Sequence, residues 1–320
     1  MPGHPRKPRR QSLFRYFLYR LAAVIPVLLG VSVTVFTMVR LVPGDPVQLM
    51  FVNQAMPSPE RVEEMRHQMG LDLPVWRQYA EYVTGILHGD FGNSYRSRQP
   101  VFEEIITRLP NTLKLTFASL LVAVTIGITA GVLSAVYKGR WIDKVSMVVA
   151  IFGISIPGFW LGLMIMLLFG VRLEWLPVSG ATTWRHLVMP AFTLGLLSSA
   201  VIARLTRASM LDALNQDYVR TARAKGLGSS RVVIRHALRN AMIPVVTIVG
   251  LQIGGLLSGA FIIESVFAYP GIGQLAVTAL QSRDFPVIQG IVLFVATIYV
   301  GVNLLADLIY GYLDPRIQYR

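Results

Sequence analysis

The sequence predicts an all-α polytopic membrane protein with six transmembrane helices, and three observations predict it. First, 53% hydrophobic residues, 15% charged residues and a mean hydropathy of +0.54 over 320 residues exceed what a water-soluble domain can cover with polar surface. Second, six stretches lack Asp, Glu, Lys and Arg, at 21–39, 115–137, 145–171, 187–203, 240–263 and 285–306. Each is close to the roughly 20 residues that a helix needs to cross a bilayer core of about 30 Å. Third, Lys and Arg concentrate in alternate connections. Helix is the expected state because backbone polar groups in lipid must be paired within the segment, and the alternation of a barrel strand is absent.

The elements follow in chain order. Residues 1–20 form a basic segment containing "RKPRR", and 21–40 form the first span, read as an uncleaved anchor because no small-residue cleavage site follows it. The basic connections place the N- and C-termini in the cytoplasm, as the Lys/Arg bias requires. Residues 41–114 are then an outer segment of ordered helices. In "SPERVEEMRHQMG", Ser58 is the N-cap, Pro59 opens the helix and Gly70 stops it. A second helix begins near Pro74 with Val75, Tyr79, Tyr82, Val83, Ile86 and Leu87 at helical spacing. "VFEEIITRL" repeats the pattern with Val101, Phe102, Ile105 and Ile106. Such amphipathic helices either pack on the spans and the membrane surface or receive an outer partner.

Residues 115–310 hold the five remaining spans, and 311–320 form a cytoplasmic tail. Pro157 in "GISIPGFW" is expected to bend the third span, as packing or as part of a gate. Glu264 is expected as an interfacial cap beside "AYPGIG", with a gate or interface role as the alternative, and Asp307 as a helix-end carboxylate. The inner connection 204–239 carries eight Lys/Arg and two Asp, Asp212 and Asp217. Topology explains the charge but not the order. A short helix rich in small residues (Thr221, Ala222, Ala224) stops at Gly226 and Gly228, and Ser229 or Ser230 caps a new helix that Pro244 interrupts. Two helices joined by a tight glycine turn make a protruding elbow, whose small residues can enter a groove on another protein while its arginines meet acidic groups on the rim.

Several function classes are disfavoured. Zero cysteines exclude disulfides and thiol chemistry, and the five histidines form no HExxH pair. "AKGLGSS" lacks the Lys-Ser/Thr ending of a phosphate-binding loop, so this chain is not expected to hydrolyse ATP. A pI near 10.3 would suit nucleic acid, but the basic residues are divided among separate cytoplasmic pieces with no recognisable binding fold. An ion-coupled secondary transporter would need ionisable or unwound sites near the midplane. An intramembrane hydrolase would need a nucleophile motif facing a histidine, and no span offers one.

Long stretches resemble a known family. "IPVLLGVSVTVFTMVRLVPGDPV", "GLDLPVWRQYAEYVTGILHGDFGNSY", "DYVRTARAKGLGSSRVVIRHALRNAMIP", "ESVFAYPGIGQL" and "NLLADLIYGYLDPRI" look like permease subunits of ATP-binding-cassette importers. The resemblance is to the dipeptide, oligopeptide and nickel branch, first of its two permease types, and it covers nearly the whole chain. It implies a type I importer permease fold in which the last five spans form the core. It also implies a second homologous permease, an extracytoplasmic substrate-binding protein, and cytoplasmic ATP-binding subunits that hold ATP and Mg, with no cofactor or metal on this chain. The elbow would be the coupling helix that docks on the ATPase, through Arg220, Thr221, Ala222, Arg223, Ala224, Lys225 and Gly226. The family's general signature is acidic-Ala-Ala, three residues, then Gly; here Arg220, Thr221 and Ala222 stand at the first three places, while Gly226 keeps its own. The expected cargo is a dipeptide or oligopeptide, with nickel as the alternative.

Overall fold

A computed structural model describes residues 13–42, 44, 47, 51 and 56–313, with side chains over 21–304. The basic N-terminal tail, half of the "VPGDPV" exit, the Asp307 side chain and the C-terminal tail lie outside the described residues. The chain divides into two units, residues 1–88 with 289–320, and residues 89–288.

The first unit contains α1 (Leu13–Leu41), α2 (Pro59–Gln68), α3 (Val75–Leu87) and most of α11 (Phe285–Leu313). Ser58 caps α2 as expected, accepting from the Arg61 N–H at 3.4 Å, with Pro59 in the first turn. α3 packs on the C-terminal half of α1. Phe36 meets the Tyr79 ring edge-on at 5.1 Å, Ser32 Oγ lies 2.9 Å from the Tyr79 hydroxyl, and Arg40 covers the Phe36 ring at 3.4 Å. This contact with a span accounts for the apolar stripe of α3, although Val75, Trp76 and Leu87 stay exposed.

The second unit is the larger body and is built on two long helices, α4 (Val101–Val136) and α7 (Arg185–Leu214). Glycines set their approach. A Cβ on Gly127 would stand 2.7 Å from Ile202 Cβ, one on Gly131 2.6 Å from the Ala203 carbonyl, and one on Gly195 2.6 Å from the Ser119 carbonyl. Where lipid tails are as apolar as Leu, such close van der Waals approach is what holds helices together. α9 (Ser229–Val266) completes the core. Leu115, Ile165, Met189, Leu194, Leu256, Ile263 and Phe267 are buried together in one cluster, and Ala123, Ile202 and Val245 in another.

Among the described residues, five helices are long and apolar enough to cross a membrane: Leu21–Leu41, Val101–Val136, Arg185–Leu214, Ser229–Val266 and Phe285–Leu304. They match five of the six expected spans. The third differs, because α5 (Trp141–Ser155) and α6 (Gly158–Ile165, continued by a π-helical stretch Met166–Arg172) meet at 108°. Pro157 therefore breaks the segment rather than bending it. Proline disfavours helical backbone at the preceding residue, and Ile156 is extended at φ −81°, ψ 129°.

Three more expectations are corrected. "VFEEIITRL" is not a separate outer helix. It is the start of α4, which runs through Pro110 and across the expected boundary at residue 114. Pro244 does not interrupt α9, which continues past it, and the irregular turn is a π-helical stretch at Val232–Leu238. Neither Ser229 nor Ser230 caps that helix. Gly228 is its N-cap, with no side-chain hydrogen bond.

Candidate functional site

The elbow forms at the end of the second unit where α4 and α7 terminate and α9 begins. α8 (Asp217–Ala224) has Asp217 in its first turn and Arg223 in its last, the polarity that suits a helix dipole. Val219 and Ala222 turn inward and are buried with Ala135, Met210, Ala213, Val232, Ala237 and Ala241. After Lys225 the chain leaves the helix through Gly226 at φ +76°. The Gly226 N–H donates to the Arg223 carbonyl at 2.9 Å, and the Leu227 N–H to the Ala222 carbonyl at 3.4 Å. These two bonds are the Schellman pattern, in which a left-handed residue lets the chain satisfy the last carbonyls of the helix. Leu227 then packs on the same apolar cluster.

Seven residues were expected to meet a partner, and their side chains divide. Arg220, Thr221, Arg223, Ala224, Lys225 and Gly226 are exposed, whereas Ala222 is buried inside its own chain. Ala222 is therefore an interior residue that lets α8 lie close to α7 and α9, and not a surface one. A Cβ on Gly226 would meet nothing within 4 Å, so within this chain only the backbone angle constrains that position. The Arg220–Asp217 pair, 3.4 Å apart and exposed, adds little. Sequence reasoning passed over Tyr218, which is 39% exposed and lies three and seven residues from Thr221 and Lys225, on one face of the helix. An aromatic residue on the outer side of so short and polar a helix was the available signal.

Glu264 and Pro157 lie toward the other end of this unit. Glu264 is fully buried on α9, and its Oε2 accepts from the Gly273 N–H at 2.7 Å and the Gln274 N–H at 3.3 Å. Those N–H groups open α10 (Ile272–Gln281), and Thr112 Oγ1 on α4 accepts from the one before them, Ile272, at 2.8 Å. Two side chains from two helices thus satisfy the free N-terminal donors of a third, where the dipole also favours negative charge. The expected cap is present and fully buried. A Cβ on Gly271 would overlap the Glu264 carboxylate, and one on Gly273 would overlap the Phe261 backbone, which is why "YPGIG" has glycine at both places. Burial first, and the Glu264 carboxylate second, push the Tyr269 phenol above its ordinary range. Beyond the break at Pro157, α6 sets Gly162 against Phe267 and Val266, beside the Glu264 turn.

Comparison with known proteins fits this architecture. Residues 127–319 match the family described as binding-protein-dependent transport system inner membrane component, and residues 13–116 match its N-terminal companion. The glutathione transport system permease protein GsiC of Escherichia coli K12 is 45% identical over 308 residues, covering 96% of this chain and all of that protein. The dipeptide transport system permease protein DppB of the same strain is 43% identical over 339 residues, with the same coverage. Among solved structures, the inward-facing MetNI methionine ABC transporter aligns with a TM-score of 0.57 at 17% identity, over 66% of this chain and 96% of that one. An amino acid ABC transporter aligns at 0.53 and 19%, over 66% and 94%. Identities this low speak for the fold alone, which is that of type I importer permeases, whereas the near-full-length relatives settle the family. The chain belongs to the inner-membrane permease components of binding-protein-dependent ABC importers.

Proposed function

We propose that this permease forms half of a translocation pathway for dipeptides or other short peptides, paired with a second homologous permease. The observation that carries the cargo class is the 43–45% identity, over whole chains, to permeases named for glutathione and for a dipeptide. Both are short peptides, and this favours peptide over nickel. An extracytoplasmic binding protein delivers the cargo, and cytoplasmic subunits bind ATP and Mg and carry out hydrolysis.

The elbow is the docking point for those subunits, with the N- and C-termini on the same, cytoplasmic, side. Its geometry supports this reading: an apolar inner face fixes α8 to the ends of α4, α7 and α9, while Tyr218, Arg220, Thr221, Arg223, Lys225 and Gly226 are exposed on a helix closed by a tight turn. The three exposed cations suit an acidic rim. ATP binding favours one arrangement of the ATPases, and the permease follows because its outward-facing state binds that arrangement better. Pro157 and Glu264 lie at the broken span and at the α10 cap, which suits elements of the outer gate.

The test is uptake by the assembled complex in vesicles with labelled dipeptide, glutathione and nickel in parallel. Peptide uptake that depends on ATP and on the binding protein is expected. Nickel uptake without peptide uptake would overturn the cargo assignment.

A further inference from the structure

One charged pair inside the second unit lies outside both sites described above. Asp143, in the first turn of α5, is 5% exposed. Its carboxylate receives the Arg207 guanidinium in a two-point fork from α7, Nε to Oδ1 at 2.7 Å and Nη2 to Oδ2 at 2.9 Å. The Gly139 N–H donates to Oδ2 at 2.9 Å, and Ser134 Oγ, fully buried on α4, donates to Oδ1. Every part of the carboxylate is occupied by donors from α4, α7 and the turn between α4 and α5. A buried ion pair is weak evidence of stabilisation, since desolvation offsets most of the attraction; its better-attested use is to fix one arrangement of the chain.

The surroundings indicate which arrangement is fixed. Trp141, Val145, Val148, Val149, Ile151, Phe152 and Ile154 of α5 are exposed in this chain, and the buried residues of the helix are Asp143 and Ala150. α4 and α7, by contrast, are locked to each other by their close glycine contacts. α5 is thus held to a rigid pair by this directional polar contact at its first turn and by small-residue packing further along, where Ala150 is buried and the Cβ position of Gly153 lies 3.5 Å from Ala200, and it breaks by 108° after Ser155. The pair also adjoins the elbow. Ala135, next to Ser134, and Met210, one helical turn beyond Arg207, belong to the apolar cluster that seats Val219 and Ala222.

We infer that the Asp143–Arg207 pair is the pivot through which displacement of the elbow reaches α5, and hence the whole of the broken span. This rests on the docking role proposed for α8. The mechanical argument is short. The guanidinium fork fixes direction as well as distance, so a tilt of α7 caused at the elbow carries the start of α5 with it. A greasy contact would let the helix slip.

The experiment uses the reconstituted complex with its partner permease, ATPases and binding protein. Removing Arg207 alone would leave the Asp143 carboxylate buried without its counter-charge, so the main variant is Asp143→Asn with Arg207→Met, which removes both charges. Arg207→Lys, which keeps the charge and loses the fork, accompanies it. Both are expected to retain the thermal unfolding midpoint and pull-down of the ATPase subunit, while peptide uptake per ATP hydrolysed falls about tenfold, within the usual range of coupling between sites. A cysteine placed at Val148 reports motion directly. Its maleimide labelling should change with ATP in the otherwise unaltered complex and cease to change in the pivot variants. Normal uptake and ATP-dependent labelling in the double variant overturn the pivot, and if that variant does not accumulate, the same result in Arg207→Lys does so. Loss of pull-down in either variant overturns it too, because the pair would then merely shape the elbow. Failure of the docking role is read separately, as normal pull-down and coupling in Gly226→Leu.

Discussion

Single residues decide the two turns on which the second unit depends. At Gly226 the backbone is left-handed and the space around the missing Cβ is empty. A side chain there costs about 1 kcal/mol in backbone strain and meets nothing in its own chain. Gly226→Leu should therefore insert and accumulate normally, while ATPase pull-down and substrate-stimulated hydrolysis fall sharply. Arg231→Ala, an exposed charge in the same loop, should leave both unchanged. Equal behaviour of the two variants in pull-down would remove the docking role.

At Glu264 the balance is reversed, because the contact is wholly internal. Glu264→Ala leaves the Gly273 and Gln274 N–H groups without their acceptor, at about 1–3 kcal/mol for each buried donor. Glu264→Gln keeps an acceptor oxygen of nearly the same shape. A fall in the thermal unfolding midpoint of the detergent-solubilised chain, several degrees larger for Ala than for Gln, is the expected result. Equal midpoints would show that the cap contributes nothing.

Elements show how a helix can serve two roles on opposite faces. α8 is only eight residues long, too short to be stable alone in water, so its helicity depends on Val219 and Ala222 seated against α4, α7 and α9. Ala222→Leu should overpack that seat at about 1–3 kcal/mol, exposing the loop to limited proteolysis. Thr221→Leu, one residue along and exposed, should leave proteolysis unchanged and weaken only ATPase pull-down. The opposite assignment of the two phenotypes would mean that the helix presents its other face. The same periodicity explains what sequence alone misjudged. "RTARAKG" could be read as a run of small and basic residues, but the phase of that run against the rest of the fold is not a local property. Nothing local distinguishes an inward Ala222 from an outward Ala224.

At the scale of the whole molecule, the proposed topology places the elbow and both termini on one side of the membrane. Because the chain contains no cysteine, single cysteines at Glu63 and Gly228 can be probed in intact cells with an impermeant thiol reagent. Glu63→Cys should react and Gly228→Cys should not. The reverse pattern would place the elbow outside and remove its access to ATP-binding subunits.

The sequence by itself determined the membrane class, five of the spans and the expected place of the sixth. These rest on the amount and run length of apolar side chains, which are additive properties of the chain. It also determined the α2 cap at Ser58, the glycine stop at Gly226 and the presence of a cap at Glu264, since caps and turns are fixed within a few residues. Tertiary structure alone decided the rest. The continuity of α4 through Pro110, the 108° break beside Pro157 and the uninterrupted passage of α9 through Pro244 show one residue type with different outcomes. A missing N–H and a ring clash can be absorbed or not, depending on what packs around them. The Asp143–Arg207 fork joins residues 64 apart, and no local pattern announces it. It exists because the glycines of α4 and α7 bring those helices together at the height of the first turn of α5, and a carboxylate at that height must find its donors or not be buried at all.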